Sequence, residues 1–322
     1  MGNRITALTM ALALIPAAAP ATVPTYTYEG KWGEEGAGDG EFSFPAGIAV
    51  SSGGLVYVAD NGNNRVQFFT AGGNFCGRWG SFGAGDGEFA GPVGLAVPSD
   101  GRVYVVDSYN HRVQYFTSTG SFLGKWGAAG SGDGQFQYPE GVAVAPGGRV
   151  YVVDSFNNRV QYFTSAGSFL GKWGAAGSGD GRFDNPHGVA VAPSGRVYVA
   201  DSTNRRVQYF TAAGSFLGKW GTYGTANGQF TLPIGVACSP GGYVFVTDRH
   251  RVQYFTAAGS YVGQWGQRGE GNGEFTDPEA LGLRSEARVY VVDRRNNRVQ
   301  YFRQENPAVA PASLGKIKTL FR

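Results

Sequence analysis

From residue 25 to about residue 302 the chain is built from short runs in which β-branched and aromatic residues dominate. Clusters of Gly, Pro, Asn, Asp and Ser separate them. Runs this short, bounded by such punctuation, predict β-strands joined by tight turns. Residues 141–145, 150–153, 160–163 and 169–173 form one set of four predicted strands. Pro146-Gly147-Gly148 lies between the first pair and Ser165-Ala166-Gly167 between the last pair, as expected of hairpin turns. The runs are too short and too β-branched for helices.

The same set recurs. All six tryptophans are followed by Gly and stand at Trp32, Trp79, Trp126, Trp173, Trp220 and Trp265, with spacings of 47, 47, 47, 47 and 45. Each unit carries a proline (Pro45, Pro92, Pro139, Pro186, Pro233, Pro278) and, fifteen residues later, an aspartate (Asp60, Asp107, Asp154, Asp201, Asp248, Asp293). Four antiparallel strands at a period near 47 predict an all-β, six-bladed β-propeller of four-stranded antiparallel blades. The sixth unit stops at Phe302 without its Trp-Gly strand, whereas the chain opens with Tyr26-Thr27-Tyr28-Glu29-Gly30-Lys31-Trp32-Gly33, which is that strand. The N-terminal strand is therefore expected to complete the last blade and to cover an otherwise open sheet edge.

The repeat unit, with its Gly-x-Phe-x-x-Pro-x-Gly-Val-Ala-Val, Val-Tyr-Val-x-Asp and Asn-x-Arg-Val-Gln-x-Phe elements, resembles the NHL repeat over residues 25–303. The resemblance implies the propeller fold. For function it implies only a range, because fold does not fix function. NHL propellers include RNA-binding domains, receptor sensor domains and a peptide-amidating lyase.

The ends differ from the repeats. Residues 1–21 read as a signal peptide: Arg4, an apolar stretch from Ile5 to Ile15, and Ala19-Pro20-Ala21 as the cleavage motif. The expected location is accordingly secreted, periplasmic or extracellular. The propeller is assigned to 22–303, a Pro/Ala-rich linker to 304–313, and a short amphipathic basic tail to 314–322. Outside the leader no stretch approaches the ~18 apolar residues of a membrane span.

Composition sharpens this picture. The 53 glycines would suggest low complexity, but 17 Tyr, 22 Phe and 6 Trp with only 16% charged residues exclude disorder, and no Gly-X-Y period supports collagen. The net charge of +3 includes Arg4, Lys316, Lys318 and Arg322 from the two ends, so the ring itself carries no excess of basic charge. Cys76 and Cys238 fall in different units and on different strands of the unit, too far apart for a disulfide. Both are expected to be buried small hydrophobes.

Residues present in every unit are assigned to structure. Each Asp is followed by an Arg (Arg65, Arg112, Arg159, Arg206, Arg251, Arg298), and the pair is expected to fix a hairpin end. Gly-Asp-Gly before each Phe, replaced by Ala226-Asn227-Gly228 and Gly271-Asn272-Gly273 in the last two units, reads as a turn. One carboxylate per copy is thin for calcium, so no cofactor is predicted, with Ca or Zn the candidates if one is bound.

Function is expected where the units differ. The loop entering the first strand and the loop joining the second and third emerge on one face, and this face carries the variable residues. Its inner ring, the residue after each Pro, reads Ala46, Val93, Glu140, His187, Ile234 and Glu279. In the amidating lyase the resemblance implies histidine zinc ligands at this ring, from three blades. Only His187 matches, so a three-His site is excluded, while Glu140, His187 and Glu279 remain a candidate metal set. The outer ring presents Tyr109 and Phe156 in units two and three, then Arg205, Arg249, His250, Arg294 and Arg295 in units four to six. Aromatic and Arg side chains favour recognition. The reading is a monomeric, non-catalytic binding or scaffold module for a protein, peptide or glycan ligand on this face. A metal-dependent lyase or hydrolase at the channel mouth and a nucleic-acid-binding domain are the alternatives. Nucleic acid is disfavoured by the export signal and the weak basicity.

Overall fold

A computed structural model describes residues 24–285 and 287–305. The expected signal peptide and basic tail, and all of the linker but residues 304 and 305, lie outside them. Six four-stranded antiparallel sheets form the ring. Blade 3 is typical: inner strand Pro139–Val144, then Val150–Asp154, Arg159–Phe163 and outer strand Phe169–Trp173. In register, Pro139 faces Asp154, Asp154 faces Arg159, and Val160 faces Trp173. Blades 1 to 6 begin their inner strands at Ile48, Pro92, Pro139, Pro186, Pro233 and Pro278. The sixth sheet takes the order Thr25–Trp32, Arg298–Glu305, Arg288–Asp293, Pro278–Ser285, so the N-terminal strand closes the ring as its register predicts.

The core lies between neighbouring blades. The second strand is buried along its whole length in blades 1 to 5, and from Val289 onward in blade 6, because it packs on both faces of its sheet. The hydrophobic clusters cross the seams: Tyr104 and Val106 of blade 2 pack with Val142, Val150, Val152 and Phe163 of blade 3. Tyr104 also donates its hydroxyl to the carbonyl of Ser165 on the next blade, at 2.9 Å. Trp126 sits against the outer turn of blade 3, where a Cβ added at Gly167 (φ +90°) would lie 2.6 Å from the indole. Glycine is required there both by the left-handed backbone and by the ring.

The Asp–Arg pair is the centre of a larger network. Asp154 Oδ2 accepts from Arg159 Nε at 2.7 Å and from Gln161 Nε2 at 3.2 Å, and Asn157 donates to the same carboxylate. Arg159 reaches on to the carbonyls of Ser131, Gly132 and Gln135, and Gln161 accepts from the amide of Gly134. The Asp-x-x-Asn-x-Arg-Val-Gln element therefore staples the glycine-rich entry loop of its own blade. Both partners of the pair are buried.

One expectation about the cysteines is corrected. Cys238 is partly buried, but Cys76 is exposed. It lies on the outermost strand at the position of Leu123, Leu170 and Leu217, which are themselves 45–48% exposed, because this face of the edge strand has no blade beyond it.

Candidate functional site

The entry loops and the loops between second and third strands meet on one face of the ring, which is the face that the antiparallel order predicts. The tips of blades 2, 3 and 6 are single 3₁₀ turns: Ser108–Asn110, Ser155–Asn157 and Arg294–Asn296. The buried Ser anchors the first two, so the next side chain, Tyr109 or Phe156, is lifted into solvent at 64% and 60% exposure.

These two rings share a third that sequence reasoning missed. Tyr138, just before Pro139, contacts Tyr109 with centroids 6.0 Å apart and Phe156 at 4.9 Å. Its backbone is left-handed (φ +47°) and its amide donates to His111 Nδ1 of the neighbouring blade at 3.1 Å. The imidazole also meets the Tyr138 ring edge-on at 4.8 Å. The result is a fixed aromatic platform across the seam of blades 2 and 3. The position before Pro reads Phe44, Gly91, Tyr138, Asn185, Leu232 and Asp277, and that variation was the available signal. So was the position that bridges each entry loop, which puts Phe82 at 78% and Tyr223 at 71% exposure on the same face.

Glu140, His187 and Glu279 line one cavity at the mouth of the central channel, with Ala46, Val93 and Ile234 completing the ring. Glu140 in blade 3 and Glu279 in blade 6 come from opposite walls of the six-fold ring. Burial pushes the Glu140 carboxyl up to about 8, with the charge of Glu279 adding to the shift and Arg294 opposing it. Burial lowers His187 to about 4, and Arg294 adds to that. The side-chain amide of Asn185 lies 3.0 Å from His187 Nε2. Burial also raises the Glu279 carboxyl, against the pull of Arg294.

Arg294 is placed differently from expectation. Its position in the repeat assigns it to the outer ring, but it turns inward and binds Glu279 Oε1 at 3.0 Å. The inner strand of blade 6 supplies a carboxylate within reach of its tip, where blades 1, 2, 4 and 5 have apolar residues or His. Arg295 stays outside, 65% exposed, paired with Asp277. Arg205 lies 5.4 Å over the Tyr223 ring, and Arg249 is exposed.

The zinc set of the amidating lyase does not fit these residues: His187 Nε2 is taken by Asn185 and Glu279 by Arg294. No group of three or more His, Cys, Asp or Glu side chains gathers as a metal site among the described residues. The Gly-Asp-Gly carboxylates are held by basic side chains of the outer strand, as in Lys172–Asp133 at 2.6 Å.

Residues 42–69, 89–116, 136–163 and 183–210 match the NHL repeat model. The chain is an NHL-repeat propeller. A short stretch is 57% identical to protein lin-41 of Caenorhabditis elegans over 44 residues, spanning 14% of this chain and 4% of that protein. Among solved structures, the NHL propeller is similar to a protein of unknown function from Bacteroides thetaiotaomicron (17% identity, TM-score 0.69, 88% of this chain and 76% of that one). It is also similar to a gluconolactonase from Xanthomonas campestris (14%, 0.62, 89% and 99%) and to a streptogramin B lyase (13%, 0.61, 89% and 100%). At these identities the structural likeness concerns the fold alone.

Proposed function

We propose that this NHL propeller is an exported, monomeric, non-catalytic binding module that takes a protein, peptide or glycan ligand on its loop face. The observation that supports this most is the platform of Tyr109, Tyr138 and Phe156. Its outer rings are more than half exposed, yet each is held by ring contacts and by a hydrogen-bonded tip. Aromatic rings that are rigid before binding lose little conformational entropy when a ligand covers them, so they favour recognition over drift. The remaining recurrent polar groups are used up by the fold, as the Asp154 network illustrates.

The test is a glycan and peptide array probed with the intact chain and with a Tyr109→Ala/Phe156→Ala variant. Hits lost in the variant support the reading. Hits that persist unchanged place binding elsewhere.

The channel mouth carries a second reading. Glu140, protonated near neutral pH, and Glu279, held beside Arg294, face one cavity, and a proton donor opposite a carboxylate is the arrangement of acid–base catalysis. In this reading the chain is a lyase or hydrolase, without the metal that sequence reasoning attached to it. Turnover of a lactone or ester panel that Glu140→Gln abolishes would favour it over the binding module.

A further inference from the structure

The seams between blades are latched in a recurrent way, and the latch is missing on one side of the ring. Asn64, His111, Asn158 and Asn297, each just before the network Arg, accept a hydrogen bond from the next blade. The donors are the amides of Gly91, Tyr138, Asn185 and Phe44, at 2.8–3.1 Å. Blade 4 has Arg205 at this position, and a guanidinium cannot accept. The amide of Leu232 turns instead to Asp248 of its own blade, at 2.8 Å. Blade 5 has a tip two residues shorter, with Arg251 three residues after Asp248, and here Arg249 takes the left-handed conformation (φ +56°).

Cations collect where the latches are lost. Arg249 and Arg268 both act on His250, whose other charged neighbour is Asp277, already paired with Arg295. Arg249 and Arg268 are exposed, and no carboxylate among the described residues pairs with either. Arg205 continues the arc, with its guanidinium over the exposed ring of Tyr223. Glu270, two residues from Arg268, is the nearest free carboxylate in sequence. Arg205, Arg249 and Arg268 are thus three guanidinium groups with no carboxylate partner among the described residues, spread over the seams of blades 4, 5 and 6; Arg205 is partly buried and donates to the carbonyl of Thr203, while the other two are exposed.

We infer that this arc docks an acidic polypeptide segment of a partner, rich in Asp and Glu. The site is separate from the aromatic platform. A free anion would satisfy one guanidinium, whereas the charges here span two seams. Carboxylates suit the planar fork of Arg, and Arg clusters are a recurring means of recognising acidic motifs. A nucleic acid fits less well. It needs successive stacking surfaces and a strong basic field, while the arc offers the single exposed ring of Tyr223 and the ring as a whole carries no basic excess.

The experiment is fluorescence anisotropy of a labelled poly-glutamate peptide with the full chain, at low and high salt. We expect saturable, salt-sensitive binding. Arg249→Glu/Arg268→Glu should weaken it by roughly tenfold or more, as expected for charge reversal at a recognition site. Arg249→Lys/Arg268→Lys should retain part of the affinity, and Tyr109→Ala/Phe156→Ala should leave it unchanged. Thermal melts check that the variants fold, and Arg249→Ala/Arg268→Ala replaces the charge reversal if that variant does not. Absence of poly-glutamate binding at low salt, or binding indifferent to the Arg substitutions, overturns the inference. So does tighter, Arg249/Arg268-dependent binding of a single-stranded oligonucleotide of equal length. Loss of binding in the aromatic variant alone would assign the peptide to the platform and overturn the separate arc.

Discussion

Tyr26 stacks on Trp265 with ring centroids 4.9 Å apart and an interplanar angle of 27°. The two residues are far apart in the chain but meet at the seam of blades 5 and 6: Tyr26 on the N-terminal strand and Trp265 on the outer strand of blade 5. In five of the six blades an indole faces a glycine turn of the next blade, as Trp126 faces Gly167. At the closing seam that turn is absent, and Tyr26 fills its place. Tyr254 does likewise: its hydroxyl bonds the carbonyl of Pro24, at a seam where Phe245 replaces the tyrosine whose hydroxyl crosses elsewhere. Closure therefore joins blade 6 by strand pairing and blade 5 by ring packing.

Removal of residues 25–33 should abolish cooperative unfolding, because it exposes the edge of Arg298–Glu305 and uncovers Trp265 together. Tyr26→Ala alone should cost about 3–5 kcal/mol, the range for truncating a large core aromatic. Chemical denaturation followed by tryptophan fluorescence measures both. A truncated chain with a native-like transition would contradict the closure.

Arg159→Ala should destabilise the ring by about 3–5 kcal/mol, since it leaves the buried Asp154 carboxylate unpaired. It also strands three carbonyls of the entry loop. Lys172→Ala, which breaks an exposed pair with Asp133, should cost under about 1 kcal/mol. Denaturant midpoints of the two variants give the comparison, and equal effects would refute the staple.

Stability should fall as pH rises from about 6.5 to 8. Glu140, raised to about 8, keeps its proton in the folded chain where the unfolded carboxyl has lost it, so the folded state holds the extra proton in this window and loses that advantage as pH climbs. His187, lowered to about 4, has the opposite sign and acts below 6.5, where the unfolded imidazole is protonated first. Glu140→Gln should flatten the upper window and steepen the rise below 6.5, where the opposite slopes of Glu140 and His187 offset each other. Melting temperatures across this range test the assignment, and an unchanged slope in the variant would overturn it.

The blades were legible in the sequence because one pattern is repeated six times, so punctuation, strand length and the missing last strand could each be checked against other copies. The Asp–Arg pair was legible for the same reason. Its reach to Ser131, Gly132 and Gln135 was not, because backbone carbonyls leave no residue-type signature. The variable face was also read correctly as a face, but residues were assigned to rings by position alone. Arg294 shows the limit: whether it points outward depends on Glu279, fifteen residues earlier, which draws it inward by charge. Tyr138 was not legible from its type alone: it stands before the Pro, and only its left-handed backbone projects the side chain between two tips. Cys76 was misplaced because a repeat assigns a strand but not the side from which solvent reaches it.

The most direct test of the binding-module account is to compare the intact chain with Tyr109→Ala/Phe156→Ala on a glycan and peptide array, followed by titration of the strongest hit. Both side chains are more than half exposed, so the variant should melt with the intact chain while its affinity for the hit falls by roughly tenfold or more, as expected when anchor aromatics are truncated. An unchanged affinity in a folded variant would contradict the account.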